Sequence, residues 1–275
     1  MADNTLRKDL VADTSICNML LRVAPDRADA IVYSIVDDSS LFYRSFPLSD
    51  PAKTPLQMLE EAVYENPLLL ADFRRVYCVI ATPRTLMVPS VASPEECRAL
   101  FRVQYSDFEG EIHLSATGTA NATAVFGIES GLDAFIRRTF APSTSIESSL
   151  ALLVRYFATR PGHGATTRMT VNFRETSMDI VALRGQSLQM ARTVEFATPA
   201  DAAYHILDSF RSLGMDPTAD ELRLTGDRTL REELSPMLRK YVARVMPVIF
   251  PPEMFKAGKE SLLAPFDLII SPLCE

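Results

Sequence analysis

Glycine is scarce in this chain of 275 residues. The sequence contains ten glycines, whereas average usage of about 7% would supply about nineteen. Loops that cradle phosphate groups depend on glycine, because a bare backbone lets several N–H groups approach an anion closely. The shortage therefore argues against a glycine-rich phosphate-binding loop.

The cysteine and histidine residues form none of the usual catalytic or metal-binding patterns. The four cysteines contain no CxxC pair, and the three histidines lack HxxxH or HExxH spacing. The sequence therefore predicts neither a zinc site nor a histidine-based triad. We expect the cysteines to be reduced, buried thiols. The cysteines are Cys17, Cys78, Cys97 and Cys274, and the histidines are His113, His163 and His205.

Long apolar runs and a basic excess are also missing. No stretch reaches the roughly 18 apolar residues that a membrane span requires. The net charge of −7 and the pI of about 5.2 oppose the counterion release that drives binding to nucleic acids. We therefore predict a cytoplasmic protein with no membrane span and no nucleic-acid partner.

The informative feature that is present is a repeated local order. In each half of the sequence, three short strand-like runs lead into a Thr-Pro helix start and then into a further strand. The Thr-Pro pairs are Thr54-Pro55 and Thr198-Pro199, in which Thr caps a helix and Pro occupies its first position. This repeat predicts two related α/β halves that face one another across a cleft.

The strand-like runs of each half are short and rich in apolar and β-branched residues. In the second half, apolar residues alternate with Thr170 and Asn172, which predicts a half-buried strand. A helix capped by Ser235 is expected near the end of the chain. The predicted strands are 16–23, 30–36, 41–46, 74–89, 111–114, 122–128, 169–173, 178–183, 188–196, 221–225 and 248–250.

A helix around Leu150, Leu153 and Phe157 has amphipathic spacing and ends near the segment 160–164, Arg-Pro-Gly-His-Gly. Pro and Gly in that segment are typical of a linker. We therefore predict a first half of residues 1–160, which carries an added pair of strands, and a second half of residues 161–275.

The strand around Cys78 and the segment that ends at Gly226 resemble an uncharacterised Bacteroidetes family. The matching residues are 75–89, RVYCVIATPRTLMVP, the second-half meander, and 222–227, LRLTGD. Members of that family are similar in fold to actin-like ATPases, a fold also called ribonuclease H-like. The resemblance implies an α/β fold with two related halves of βββαβα type. More distantly, the layout is similar to actin-like proteins of pilus and secretion systems.

The resemblance also implies where a nucleotide site would lie. Active members of the wider superfamily present an Asp and glycines on a hairpin turn of each half, and a Gly-Gly pair near a helix start receives the adenosine. Here the first turn has Asp26 but no glycine. The second turn has no glycine and has Asn172 where an acid is expected, and only Gly226 and Asp227 remain of the third motif.

Seven residues are weak candidates for cofactor binding in the predicted cleft, and each has a structural alternative as an ordinary turn or helix-start residue. Thr225, Gly226 and Asp227 are the strongest, because ligands of α/β sheets lie where a strand end leads to a helix. No catalytic or metal-binding residue is predicted. The candidates are Asp26, Arg174, Thr176, Ser177, Thr225, Gly226 and Asp227.

Two functions remain open from the sequence. The first is a non-catalytic interaction or scaffold protein without a cofactor, which binds an unknown protein partner. The second is a divergent ATPase or kinase that binds Mg-ATP through Asp26, Thr176 and Asp227. The missing glycines favour the first, whereas the second depends on fold resemblance alone.

Overall fold

The computed structural model describes residues 13–34, 41–119, 121–141, 143–160, 166–249, 251 and 263–274. The first half contains a mixed sheet of five strands, which are β1 (Cys17–Val23), β2 (Arg27–Ser34), β3 (Leu41–Pro47), β4 (Arg75–Ile80) and β8 (Ser145–Ser148). Their order in the sheet is β3-β2-β1-β4-β8. Strand β1 is antiparallel to β2 and parallel to β4. The predicted three-stranded meander is confirmed, although Val36 lies outside the described residues.

The second half repeats this sheet with the same order and polarity. Its strands are β9 (Thr167–Phe173), β10 (Ser177–Arg184), β11 (Ser187–Glu195), β12 (Glu221–Gly226) and β13 (Arg244–Pro247). They follow the order β11-β10-β9-β12-β13, in which β9 is antiparallel to β10 and parallel to β12. The correspondence of β1 with β9, and of β4 with β12, is the structural form of the repeat in the sequence.

A smaller antiparallel sheet is inserted in the first half. The inserted elements are β5 (Thr85–Pro89), α2 (Pro94–Gln104), β6 (Glu111–Ala116) and β7 (Ala122–Ile128), and the strand order is β5-β7-β6. The run 74–89, predicted as one strand-like segment, is divided between β4 and this sheet, because residues 81–84 turn the chain away. The predicted pair of added strands is confirmed.

The helices that follow the two meanders begin as predicted. Helix α1 (Pro55–Tyr64) and helix α5 (Pro199–Ser212) both have a capping box, in which Thr54 and Thr198 accept from the third helical N–H. The Oγ1 atoms lie 3.2 Å from the amide nitrogens of Gln57 and Asp201. The remaining outer helices are α3 (Leu132–Thr139) and α6 (Arg228–Leu238).

Two helices lie between the two large sheets. Helix α4 (Ser149–Ala158) and helix α7 (Phe266–Ile270) pack in one apolar cluster with Leu20 of the first sheet and Val181 of the second. Every residue of α4 except Arg155 is buried. The prediction of an amphipathic helix was therefore wrong, because this helix is covered by both sheets.

The same central layer explains a second error. Strand β9 is buried along its whole length, although its alternating Thr and Asn residues predicted one exposed face. The polar face of β9 turns toward the central layer, where neighbouring elements cover it.

The predicted position of the last helix was also wrong. The helix does not begin at Ser235; α6 begins at Arg228 with Asp227 as its cap, and Pro236 lies inside the helix. Pro236 has no N–H to donate to the carbonyl of residue 232, so the last turn of this helix lacks one hydrogen bond of the regular pattern. Among the residues that the structure describes, no helix has the length and apolarity needed to cross a membrane.

Candidate functional site

The two hairpin turns that would face a nucleotide have the same local geometry. In the first half, the amide of Ala24 donates to the carbonyl of Arg27 at 2.9 Å, and in the second half the amide of Arg174 donates to the carbonyl of Ser177 at 2.8 Å. Each turn therefore uses its leading N–H within the hairpin. These two N–H groups are not free to bind an anion.

A buried arginine lies beside the first turn. The Arg22 side chain is 1% exposed and reaches two carboxylates. Its Nη1 lies 2.9 Å from Oδ2 of Asp29, the residue opposite it on β2, and its Nε lies 2.8 Å from Oδ2 of Asp267 at the start of α7. Tyr43 donates its hydroxyl to Asp29 at 2.9 Å. The guanidinium is thereby shared between two buried acids.

The second half contains a corresponding pair. Asp179 occupies the position on β10 that Asp29 occupies on β2, and it lies opposite Asn172. Both terminal nitrogens of Arg174 bind Asp179, at 2.8 and 2.9 Å, and its Nε donates to Ser177 at 3.0 Å. Thr193 also donates its hydroxyl to Asp179 at 2.6 Å. Bidentate pairing of this kind holds both partners in fixed positions.

Ser149, at the first position of α4, connects the two pairs. Its hydroxyl donates to Oδ2 of Asp267 at 2.6 Å, and Oδ2 of Asp179 lies 3.5 Å from the same oxygen. We call this set the interlobe ion network, because it joins both sheets through the central helices. It consists of Arg22, Asp29, Ser149, Arg174, Asp179 and Asp267.

The network is close to neutral overall. The network itself has two arginines and three aspartates, and Arg27, which lies at its edge 3.6 Å from Asp29, adds a third positive charge. Burial by itself would raise the pKa of Asp267, but the charge of Arg22 and the hydrogen bond from Ser149 outweigh burial and hold this pKa below its usual value. Burial would likewise lower the pKa of Arg22, yet Asp267 and Asp29 raise it. Arg22 and Asp267 therefore both remain charged at neutral pH.

Four of the seven residues predicted from the sequence lie together at the carboxyl edge of the second sheet. Arg174 and Ser177 are hydrogen bonded, and Thr225 and Gly226 on β12 lie beside the end of β9. Gly226 has φ +83°. A Cβ on Gly226 would lie 2.1 Å from the carbonyl oxygen of Phe173. The close approach of two strands thus accounts for this glycine.

The other three predicted residues have separate surroundings. Asp227 is exposed and caps α6 by accepting from the amide of Leu230 at 2.9 Å. Thr176 is exposed in the second turn, and its carbonyl accepts from Phe196. Asp26 is half-buried in the first turn. Within the described ranges, no hydrogen bond or ion pair joins Asp26 to the other six.

The sequence reasoning missed most of the interlobe ion network. Arg22, Asp29 and Asp179 each interrupt an otherwise apolar strand, and Asp267 interrupts an apolar helix. A charged residue in a run that is expected to be buried signals a buried partner. That signal was present, but it does not identify which partner each residue meets.

The residues at this site do not fit the Mg²⁺ and nucleotide that the fold implies. Phosphate needs close backbone donors and Mg²⁺ needs free carboxylate oxygens, whereas Asp29, Asp179 and Asp267 are held by arginine or serine. In the part of the chain that the structure describes, no group of three or more His, Cys, Asp or Glu is placed to hold a metal ion.

Two related sheets around shared central helices, with a hairpin turn of each half at one end, define a protein of the actin-like ATPase fold. One similar solved structure is a Bacteroides thetaiotaomicron protein with actin-like ATPase fold and unknown function, with 22% identity, a TM-score of 0.78, and coverage of 90% of this chain and 97% of that one. Another is a PilM-PilN type IV pilus biogenesis complex, with 15% identity, a TM-score of 0.54, and coverage of 94% and 97%.

The chain belongs to the family described as protein of unknown function (DUF3822), whose model matches residues 9–245. No curated protein matches the sequence. The resemblance to an uncharacterised family with this fold is thus confirmed. No named relative indicates a specific activity for this chain.

Proposed function

We propose that this chain is a non-catalytic interaction protein, in which the actin-like fold is held together by side chains instead of by a nucleotide. The observation that carries the proposal is the interlobe ion network. Arg22 and Arg174 extend from the two places where a nucleotide would meet the two halves, and each is saturated by buried aspartate.

The charge balance supports this proposal. A bound polyphosphate would have to compete with Asp29, Asp179 and Asp267 for the same guanidinium groups. Separating a buried ion pair leaves a charge without its partner, at a cost of about 3–5 kcal/mol. We therefore propose that the arginines stabilise the packing of the two halves instead of serving as phosphate ligands.

A partner role is supported by a structural neighbour. The similar pilus protein is described as part of a complex, PilM-PilN. A fold of this kind is thus able to act through protein association. We propose by analogy that this chain binds a protein partner.

Thermal denaturation with and without ATP and Mg²⁺ tests the nucleotide part of the proposal. A ligand at about 100 times its Kd adds about 2.7 kcal/mol of stability, and for a chain of this size each 1 kcal/mol raises Tm by about 2–4 °C. We expect no shift beyond that of MgCl₂ alone at equal ionic strength. A rise of about 5 °C or more with ATP and Mg²⁺ would overturn the proposal in favour of a divergent ATPase or kinase.

Chemical crosslinking of the tagged chain in its own host tests the partner part. We expect another protein to copurify at a fixed stoichiometry. Recovery of the chain alone after crosslinking would contradict a scaffold role.

A further inference from the structure

An open apolar groove lies on the opposite face of the first sheet from the interlobe ion network. Alternate residues of a strand point to opposite faces, so Val23 lines the groove while Arg22 enters the network. The groove has a volume of about 490 Å³, within the range of roughly 300–1,000 Å³ that is typical of ligand sites. It lies at the carboxyl ends of β1 and β4 and extends to the inserted sheet.

The floor of the groove is apolar and closely packed. Val23, Ile80, Ile128 and Leu132 contribute aliphatic surface, and the Phe108 ring forms one wall. The ring packs on Gly127, where a Cβ would lie 2.5 Å from the ring carbon Cζ. The wall is therefore built against a bare backbone. Apolar side chains of an occupant would be removed from water here, with a gain of about 25 cal/mol per Å².

The rim of the groove is acidic. Glu109 and Glu129 line it, and Asp26 follows the lining residue Pro25. Among the described residues, these three carboxylates form no ion pair. In the part of the chain that the structure describes, no basic side chain neutralises Glu109 or Glu129, so the rim carries negative charge. The basic residues next to the groove in sequence are already paired with other acids, Arg27 with Asp29, Arg84 with Asp107 and Lys53 with Glu61.

We propose that this groove binds a peptide segment of a partner protein that carries aliphatic or aromatic side chains flanked by Lys or Arg. The proposal rests on the interaction role proposed above and identifies the surface that performs it. The carboxylates of Glu109 and Glu129, on separate segments of the rim, match cationic side chains that are spaced along an extended chain. An apolar floor matches the side chains between them.

Selection from a displayed random-peptide library on the purified protein tests the proposal. We expect enriched peptides to contain apolar residues next to Lys or Arg and to lack Asp and Glu. Fluorescence anisotropy of the enriched peptides would then be compared among four variants. Ser130→Trp blocks the mouth of the groove, and Glu109→Gln/Glu129→Gln removes rim charge. Ser212→Trp and Glu175→Gln make matched changes at exposed positions of the second half.

Ser130→Trp is expected to weaken peptide binding at least tenfold. Glu109→Gln/Glu129→Gln is expected to weaken it about fivefold, since each exposed charge pair contributes about 0.2–1 kcal/mol. The amide side chain introduced by Glu129→Gln keeps an oxygen that can accept from the amide of Leu56, as the Glu129 carboxylate does at 3.1 Å. Both second-half controls should bind as the unsubstituted chain does. Unchanged Tm values would show that the variants remain folded.

Several results would overturn the proposal. Failure to enrich any peptide, enrichment of acidic peptides, or equal binding by Ser130→Trp and Ser212→Trp would each exclude the groove as a site for a basic, apolar peptide. A dimer that Ser130→Trp dissociates would show that the occupant is a second copy of the chain. If a partner still copurifies with Ser130→Trp, the scaffold role stands and only the groove is excluded, whereas stabilisation by ATP would exclude the scaffold role itself.

Discussion

Arg22 and Arg174 each pair with a buried aspartate, but they occupy different positions in the two halves. Arg22 lies directly opposite its aspartate on the neighbouring strand, whereas Arg174 reaches the corresponding aspartate from two residues beyond Asn172. The buried aspartates occupy corresponding positions, so the fold repeat extends to the acids but not to their partners. Both halves therefore contain a buried arginine–aspartate pair, although the two arginines do not occupy corresponding positions.

Gly226 illustrates how a candidate binding residue is explained by backbone geometry. We expect Gly226→Ala to destabilise the protein much more than Gly185→Ala. Both glycines have positive φ, which costs an alanine about 1–2 kcal/mol. At Gly226 the new Cβ would also overlap the Phe173 carbonyl, which adds about 1–3 kcal/mol, whereas at Gly185 no atom lies within 4 Å.

Urea denaturation of the two glycine variants would measure this difference in the free energy of unfolding. Equal losses for Gly226→Ala and Gly185→Ala would show that the close approach to Phe173 contributes nothing.

At the scale of elements, the corresponding helices α1 and α5 begin in the same way, whereas α6 begins differently. Helices α1 and α5 have capping boxes that involve Thr, whereas α6 is capped by Asp227 alone. A strand that ends at glycine and leads to a capped helix is also typical of ligand sites. Asp227 already satisfies the N–H of Leu230, so its carboxylate has a structural role without any ligand.

We therefore expect Asp227→Ala to reduce the free energy of unfolding by about 1 kcal/mol, the usual cost of losing a helix cap. Asp227→Ser should lose only a few tenths of this amount, because Ser also accepts from the helix N–H groups. Urea denaturation would measure both. If Ser and Ala destabilised the protein equally, the capping role would be contradicted.

At the scale of the whole molecule, α4 and α7 make the two halves one structure. Their apolar residues pack against both large sheets, and Ser149 and Asp267 at their first turns bring both ion pairs together. The inserted sheet lies to one side and provides a wall of the apolar groove. The central layer therefore holds the halves in one arrangement, and the groove lies on the other face of the first sheet.

The stability of this arrangement should depend on pH through Asp267. Its pKa is lowered in the folded chain, so the unfolded chain binds more protons as pH falls below about 3.8, and folding loses stability there. The contribution of Asp267 is fully present above that pH. We expect Asp267→Asn to be about 3 kcal/mol less stable at pH 7, and this deficit should shrink as pH falls below about 3.8.

Urea denaturation over a pH series would test this dependence. Asp107→Asn, which removes an exposed carboxylate paired with Arg84, is the control and should cost less than about 1 kcal/mol throughout. A deficit for Asp267→Asn that is the same at pH 3 and pH 7 would contradict the assigned charge state.

Local patterns in the sequence predicted the elements whose signals are local. The Thr54-Pro55 and Thr198-Pro199 helix starts, the two meanders and the added strands were all identified, because capping and strand periodicity act over a few neighbouring residues. The assignment of residues 1–160 and 161–275 to the two halves stays a prediction, since residues 161–165 lie outside the described ranges. The errors at α4, β9 and Ser235 arose where distant elements determine burial.

The sequence by itself determined the repeated α/β order, the family resemblance and the shortage of glycine in both turns. Each of these features depends only on residues that are neighbours in the chain. Only the tertiary structure decided that Arg22 meets Asp267, 245 positions away, and that Glu109 and Glu129 lie at an apolar groove. Pairing across such distances depends on how sheets and helices pack. The interlobe ion network therefore depends on the packing of the two halves and not on any single motif.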